Sequence, residues 1–360
     1  MLSEHRIAVL PGDFIGPEVI DATLALLDAL APRHDVRFAF ERHPFGGAAI
    51  DAHGEPLPTV TREACSAADA VLMGSAGGPQ DHPWNRLPRE KRVESGILGL
   101  RKHLGVYANL RPVTVFDGLE HLSPLKEEVA RGTDLLIVRE LTGGIYFGTP
   151  SEATHERGVS TMVYRRPEVE RIARVAFDAA RGRGGTVVSV DKANVLDVSQ
   201  FWRDVVIGVA ESEYPDVTLD HLYVDNAAMQ IARDPRQFDV IVTGNLFGDI
   251  LSDLAAVIPG SLGLLPSASL GGEVGLFEPV HGSAPDIAGR GLANPVGTML
   301  SAAMMLRHGL DRPNAADHVV HAVRTALADD PTQDLGGSRG TDAFTDAVIR
   351  ALPVRSEAPT

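Results

Sequence analysis

The sequence predicts an α/β fold in two domains, and three observations carry that reading. Short apolar runs alternate with helical patterns, 360 residues exceed what one ordinary core organises, and an apolar content of 44% is ample for two. The strand runs, in order, are "RIAVLPGD", "AVLMGS", "LLIVREL", "TVVSVDKANV", "LDHLYVD" and "FDVIVTGN". The helical patterns are "PEVIDATLALLDAL", "RPEVERIARVAFDAARGRG" and "DVSQFWRDVVIGVAES". Pro17 and Pro167 fall in the first turns of two of them, where the missing N–H costs nothing, and the Gly182–Gly185 stretch stops the second. The polar, proline-containing tail "PVRSEAPT" predicts a frayed end.

Composition narrows the function. A formal charge of -15 opposes a phosphate backbone, and Lys and Arg form no long block, so nucleic-acid binding is disfavoured. The longest apolar stretches are interrupted, as "LSAAMMLRHGL" is by Arg307 and His308, so no membrane span is expected. The single Cys65 rules out an intrachain disulfide, and the first residues lack the pattern of a secretory signal; both point to a reducing cytoplasm. No G-x-G-x-x-G and no P-loop Gly-Lys pair is present, so an ordinary Rossmann or P-loop nucleotide site starts weak.

Three clusters carry chemistry. In "GNLFGDILSDLAAVIPG", Asp249 and Asp253 stand four apart, stacked on one face of a helix expected over residues 248 to 258 among apolar neighbours. Two buried carboxylates need protons, paired bases or a cation, and Mg²⁺ or Mn²⁺ fits hard oxygen donors. Asp225, at the end of the strand expected in "HLYVD", is a third possible ligand. The plainer alternative has Asp249 capping the helix and Asp253 facing water. The second cluster is Arg101, Arg111 and Arg139, a fork for carboxylates if brought together and otherwise ordinary surface ion pairs. Tyr146 in a Gly-rich turn and Lys192 at a strand end could move protons, or simply pack and solvate. The third is "EPVHGSAPDIAGRGLANP". There the small residues Gly282, Ser283 and Ala284 open backbone N–H groups to a ligand, Asp286 can accept from a ribose and Asn294 can pair with an adenine edge. A Pro/Gly-rich connection has the same composition.

Together and in this order, "LPREKRVESGILGLRK", "ANLRPV", "VRELTGGIYFG", "VDKANVLDVSQFWR", "GNLFGDILSD" and "FEPVHGSAPDIAG" resemble the β-decarboxylating isocitrate/isopropylmalate dehydrogenase family. The similarity runs through nearly the whole chain. It implies that family's two-domain α/β fold, with residues 1–106 plus 260–360 binding the cofactor and 107–259 forming a central dimerisation domain, a cleft between them and an interlocking arm near 151–166. It implies NAD-dependent oxidative decarboxylation of 3-isopropylmalate to 4-methyl-2-oxopentanoate, a step of leucine biosynthesis, with homoisocitrate, isocitrate and D-malate or tartrate as alternative substrates on the same fold.

The resemblance also implies roles. Arg101, Arg111 and Arg139 would hold the malate carboxylates, Tyr146 and Lys192 would carry protons, and Asp225, Asp249 and Asp253 would hold Mg²⁺ or Mn²⁺, with Asp225 also beside the substrate. Glu94 and Glu278 would lie near the nicotinamide ribose, and Ile97 and Leu98 would wall the isopropyl group, which needs a dry aliphatic surface. Gly78, His281, Gly282, Ser283, Ala284, Pro285, Asp286, Ile287 and Asn294 would bind NAD in a non-Rossmann loop. A homodimer would bring Lys192 and Asp225 into the partner's site. The chain departs from the family at Phe14, where P-G-D-G-I-G-P is usual. A positive φ there would strain a phenylalanine; otherwise the ring would pack on adenine or narrow the cleft.

Overall fold

The structure, a computed structural model, describes residues 3–353. The tail "PVRSEAPT" lies, beyond Pro353, outside the described residues. The first stretch of chain gives β1 (Ser3–Gly12), α1 (Gly16–Leu30), β2 (Val36–Arg42), α2 (Gly47–His53), α3 (Thr59–Ala67), β3 (Ala70–Ser75) and α4 (Val93–Leu104). The middle stretch opens with β4 (Ala108–Thr114), α5 (Glu127–Ala130), β5 (Asp134–Glu140), β6 (Ser151–Ala153) and β7 (Gly158–Ser160). It continues through α6 (Arg166–Arg181), β8 (Thr186–Asp191), α7 (Asp197–Glu213), β9 (Thr218–Tyr223), α8 (Val224–Arg233), β10 (Val240–Thr243) and α9 (Asn245–Ala256). Last come β11 (Pro266–Leu270), β12 (Gly275–Pro279), α10 (Val296–Met304), α11 (Pro313–Asp329) and α12 (Thr341–Ala351).

The chain divides into two compact units, one running to Val106 and resuming at Ser261, the other Tyr107–Gly260. In the first, the strands lie in the order β2, β1, β3, β12, β11; all these pairings are parallel except the last, which is antiparallel. In the second, the order is β4, β5, β10, β8, β9, with β4 antiparallel to β5 and the rest parallel. Parallel strands covered on both faces read as unbroken apolar runs, and "AVLMGS" in β3 and "VIVT" in β10 are buried at every residue. β9, last in its order, instead alternates exposed and half-buried positions. The helix starts follow the prolines: Pro17 and Pro167 occupy the first turns of α1 and α6, and the backbone N–H of Arg165 donates to Glu168 to close the α6 entry.

Two local expectations need correction. Asp225 is not at a strand end, because β9 stops at Tyr223 and Asp225 sits in the first turn of α8. The acidic helix begins at Asn245 rather than 248, so Asp249 is inside it and does not cap it.

Candidate active site

In the second unit the site grows out of β4 and β5. Their antiparallel register sets Asn109 opposite Arg139, so these two point to one face of the sheet, and Arg111, two residues from Asn109, joins them. Arg111 donates from Nε to Asn109 Oδ1 at 2.8 Å, which aims its guanidinium along that face.

α9 lies across this face. Its residues Asn245, Gly248, Asp249 and Ser252 follow the spacing that lines up one side of a helix, and Asn245, Gly248 and Ser252 are buried. Gly248 is required by the approach: a Cβ there would stand 2.6 Å from Cγ of Arg139. Arg139, itself 2% exposed, donates from Nη1 to Asp249 Oδ1 at 2.5 Å and from Nε and Nη2 to Asn245 Oδ1. Arg111 donates from Nη1 to Ser252 Oγ at 2.7 Å and to Asp253 Oδ1 at 3.3 Å.

The stacked carboxylates are therefore tolerated because guanidiniums neutralise them. They are also not sealed in apolar surroundings, as the sequence led us to expect, since the Asp249 and Asp253 side chains are 36% and 70% exposed. Polar Asn245 and Ser252 are buried along with Leu251, Ala255 and Ala256, while Ile250 and, just past the helix, Val257 are 55% and 49% exposed.

Tyr146 follows β5 through a turn at Gly143 and Gly144, and its hydroxyl donates to Asp249 Oδ2 at 2.8 Å. Burial, then this hydrogen bond to a carboxylate, pushes the phenol up to about 12, so it is a neutral donor near pH 7. Lys192, just past β8, pairs with Asp225 at 2.5 Å; that hydrogen bond holds the Asp225 carboxyl below its ordinary range. Asp249 and Asp253 offer hard oxygen donors one helical turn apart, the chemistry that suits Mg²⁺ or Mn²⁺. Among the described residues no trio of His, Cys, Asp or Glu within the chain completes a metal site, so Asp225 does not join the pair in one protomer.

The first unit carries the other expected residues. On α4, Glu94, Ile97, Leu98 and Arg101 share a face by their spacing; Glu94 is exposed, while Ile97 and Leu98 are half-buried. Arg101 Nη2 donates to Glu278 Oε1 of β12 at 2.9 Å, with both side chains largely buried.

The glycine-rich loop after β12 docks on the first loop of the chain, where the Ile15 backbone N–H donates to the Ser283 carbonyl at 3.1 Å. Ile287 and Ala284 pack with Ile15, Val19 and Ala293, leaving Asp286 and Gly282 exposed. Ala284 holds a φ of 38°. Pro285 follows it, half-buried. His281 Nδ1 lies 2.9 Å from the Gly282 carbonyl, and its Nε2 is sealed from water. The Asn294 amide is engaged at both ends, accepting from the Val296 N–H in a turn just before α10 and donating to Asp334, so an adenine edge would have to compete for it.

At the departure from the family pattern, Phe14 adopts a φ of 52°. This positive φ is the strained case expected from the sequence, and the ring meets His82 edge-on at 6.2 Å and Trp84 at 6.0 Å. Gly78 lies under both, since a Cβ there would stand 3.2 Å from Trp84 and 3.3 Å from Phe14.

Sequence reasoning passed over Asp13, Asn109, Asn245 and Ser252. Asp13 is 4% exposed and accepts from the backbone N–H groups of Gly47, Ala48 and Gly77, tying three loops together. The signal for Asn245 and Ser252 was present, since both recur at helical spacing with Asp249.

A profile of the isocitrate/isopropylmalate dehydrogenase family matches residues 6–348. The chain belongs to this family. It is 59% identical over 347 residues to a 3-isopropylmalate dehydrogenase of Deinococcus radiodurans, covering 96% of this chain and 97% of that protein. A 3-isopropylmalate dehydrogenase of Salinibacter ruber is 58% identical over 353 residues, covering 98% and 95%. Among solved structures, isocitrate dehydrogenase from Methylococcus capsulatus matches with a TM-score of 0.83 at 36% identity over 97% of this chain and 99% of that one. A β-decarboxylating dehydrogenase from Thermococcus kodakarensis matches at 0.80 and 39%, over 97% and 96%. These relatives, named for isocitrate and for 3-isopropylmalate, act on different substrates.

Proposed function

We propose that this family member catalyses the NAD-dependent oxidative decarboxylation of 3-isopropylmalate in leucine biosynthesis. The observation that carries the reading is the polar stripe of α9, which gathers Arg111, Arg139, Tyr146, Asp249 and Asp253 on one face of β4 and β5. The arginines, with Arg101, bind the substrate carboxylates. Ile97 and Leu98 offer the aliphatic wall that an isopropyl group needs and that would leave a third carboxylate unpaired.

Lys192, or a water it orients, takes the 2-hydroxyl proton, and Tyr146 returns a proton to C3 once the β-carboxylate has left as CO₂. Tyr146 suits that step because it keeps its proton near neutral pH. Bound NAD would accept the C2 hydride, and a bound Mg²⁺ or Mn²⁺ would supply Lewis-acid attraction for the charge developing on the 2-oxygen. Glu94, Glu278, Gly78 and the loop from His281 to Ile287, with Asn294, are the residues assigned to the nucleotide.

We infer a homodimer from two features of the second unit. α8 and α9 pack side by side, and Met229, Ile250 and, just past α9, Val257 are exposed apolar side chains that a second copy would cover. Among the described residues Asp225 forms no metal-binding trio with Asp249 and Asp253 in one chain, so a second copy would supply it, together with the Lys192 it pairs with. The β6–β7 hairpin is the candidate arm. No helix among the described residues is long and apolar enough to cross a membrane, and the single cysteine, Cys65, is free and buried, compatible with the reducing cytoplasm proposed for the chain.

The test is NADH formation from 3-isopropylmalate with Mg²⁺ or Mn²⁺, its loss with chelator, and its loss in Asp249→Asn. Preference for unsubstituted malate or for isocitrate would overturn the assignment of Ile97 and Leu98.

A further inference from the structure

The geometry points to Asn245 as a positioning residue: a single buried amide couples the turn that presents Tyr146 to the guanidinium of Arg139. This inference rests on the proposed function. Asn245 opens α9, is 1% exposed, and uses every hydrogen-bonding capacity of its side chain. Its Oδ1 accepts from Arg139 Nε at 3.2 Å and Nη2 at 2.9 Å. Its Nδ2 donates to the Leu141 carbonyl at 2.9 Å and the Gly143 carbonyl at 3.2 Å.

The orientation of the amide is fixed by chemistry. Turned over, it would set its NH₂ against a guanidinium and its oxygen against two carbonyls. The backbone N–H of Asn245 donates to the Tyr164 hydroxyl at 2.7 Å, which anchors the amide from behind.

The turn from Leu141 to Gly144 is held from both sides. Asn245 takes its carbonyls, while the fully buried Glu140 carboxylate accepts from the N–H groups of Thr142 and Gly143 and from the Thr142 hydroxyl. Gly144 then bends the chain at a φ of 75° into the short helix that ends at Tyr146. Because Nε and Nη2 of Arg139 are held by the amide, Nη1 is the donor that reaches Asp249, the same carboxylate that Tyr146 contacts. One amide thereby sets the relation between a carboxylate-binding donor and a proton donor, and small misplacements of such groups cost about 10²-fold in rate.

Asn245→Asp and Asn245→Ala separate the two halves of this coupling. The aspartate still accepts from Arg139 but turns a carboxylate oxygen toward the Leu141 and Gly143 carbonyls. It is expected to lower kcat about 10²-fold, with KM for 3-isopropylmalate within about threefold of wild type. The alanine releases Arg139 as well and is expected to lower kcat similarly and raise KM about tenfold, with KM for NAD unchanged in both variants. Amide hydrogen exchange over residues 141–146, followed by mass spectrometry without any ligand, should quicken in both while thermal melting stays cooperative. Unchanged exchange, or equal KM changes in the two variants, would overturn the assignment. Absence of NADH formation by the wild type would instead sink the functional reading and leave the exchange result standing.

Discussion

At Asp249 three needs meet: a carboxylate must accept a guanidinium, accept a phenol and remain a donor for a cation. The surrounding geometry ranks these contacts. Arg139 is buried and is held by Asn245 as well as by Asp249, whereas the Tyr146 hydroxyl belongs to a half-exposed ring. Tyr146→Phe removes a proton donor and little bulk, so kcat should fall by about 10²- to 10⁴-fold while KM for 3-isopropylmalate stays near the wild-type value. Steady-state kinetics decide this, and a rise in KM without loss of kcat would mean that the ring only binds. The residue types at this site were legible in the sequence because charged and hydroxyl groups stand out in apolar runs. The partnerships were not, since Arg111 and Ser252 lie far apart along the chain and only the packing of α9 across β4 and β5 brings them together.

Among the elements, α9 and the first loop show where pattern reading works and fails. β3 and β10 were legible because a strand covered on both faces reads as an apolar run, and the "LLIV" centre of β5 gave the same signal. β11, "PSASL", was not: its composition is that of a loop, and its strand state comes from pairing with β12. α9 was recognised as a helix but its two aspartates were expected among buried apolar neighbours, because counting apolar residues cannot reveal that two guanidiniums meet them.

In the first loop, Phe14 sits in left-handed backbone, which costs a non-glycine residue roughly 1–2 kcal/mol. Its two ring contacts return about 0.5–1.5 kcal/mol each beyond the area the ring buries against Ile50, Trp84 and Val93. Phe14→Gly relieves the backbone but loses that packing, so it should destabilise by about 1–2 kcal/mol while releasing residues 76–88. Faster proteolytic cleavage in that segment and a higher KM for NAD are the expected readouts. Cleavage at the wild-type rate would show that Trp84 holds the segment unaided, through its contact with Gly47 and its hydrogen bond to Asp51.

For the whole molecule, stability should depend on pH through histidines kept neutral. His5, His221 and His281 each have a ring nitrogen sealed from water without a hydrogen-bond partner among the described residues, and burial lowers the pKa of all three. Their folded values lie below the ordinary 6.5, so the unfolded chain takes up protons first. Their contribution is complete above pH 6.5 and is lost as pH falls through the depressed folded values. Urea midpoints should therefore drop between pH 7.5 and 5.5, and His221→Gln should flatten that slope. The raised carboxyls of Asp13 and Glu140 act oppositely, gaining stability as they protonate, which makes the variant comparison the decisive measurement.

The separation of Asp225 from Asp249 and Asp253 within one chain bears on concentration. In the proposed dimer each site would draw Asp225 and its ion-pair partner Lys192 from the other protomer. Specific activity should then fall as the protein is diluted, and activity that stays constant at low protein levels would show that one chain carries a whole site.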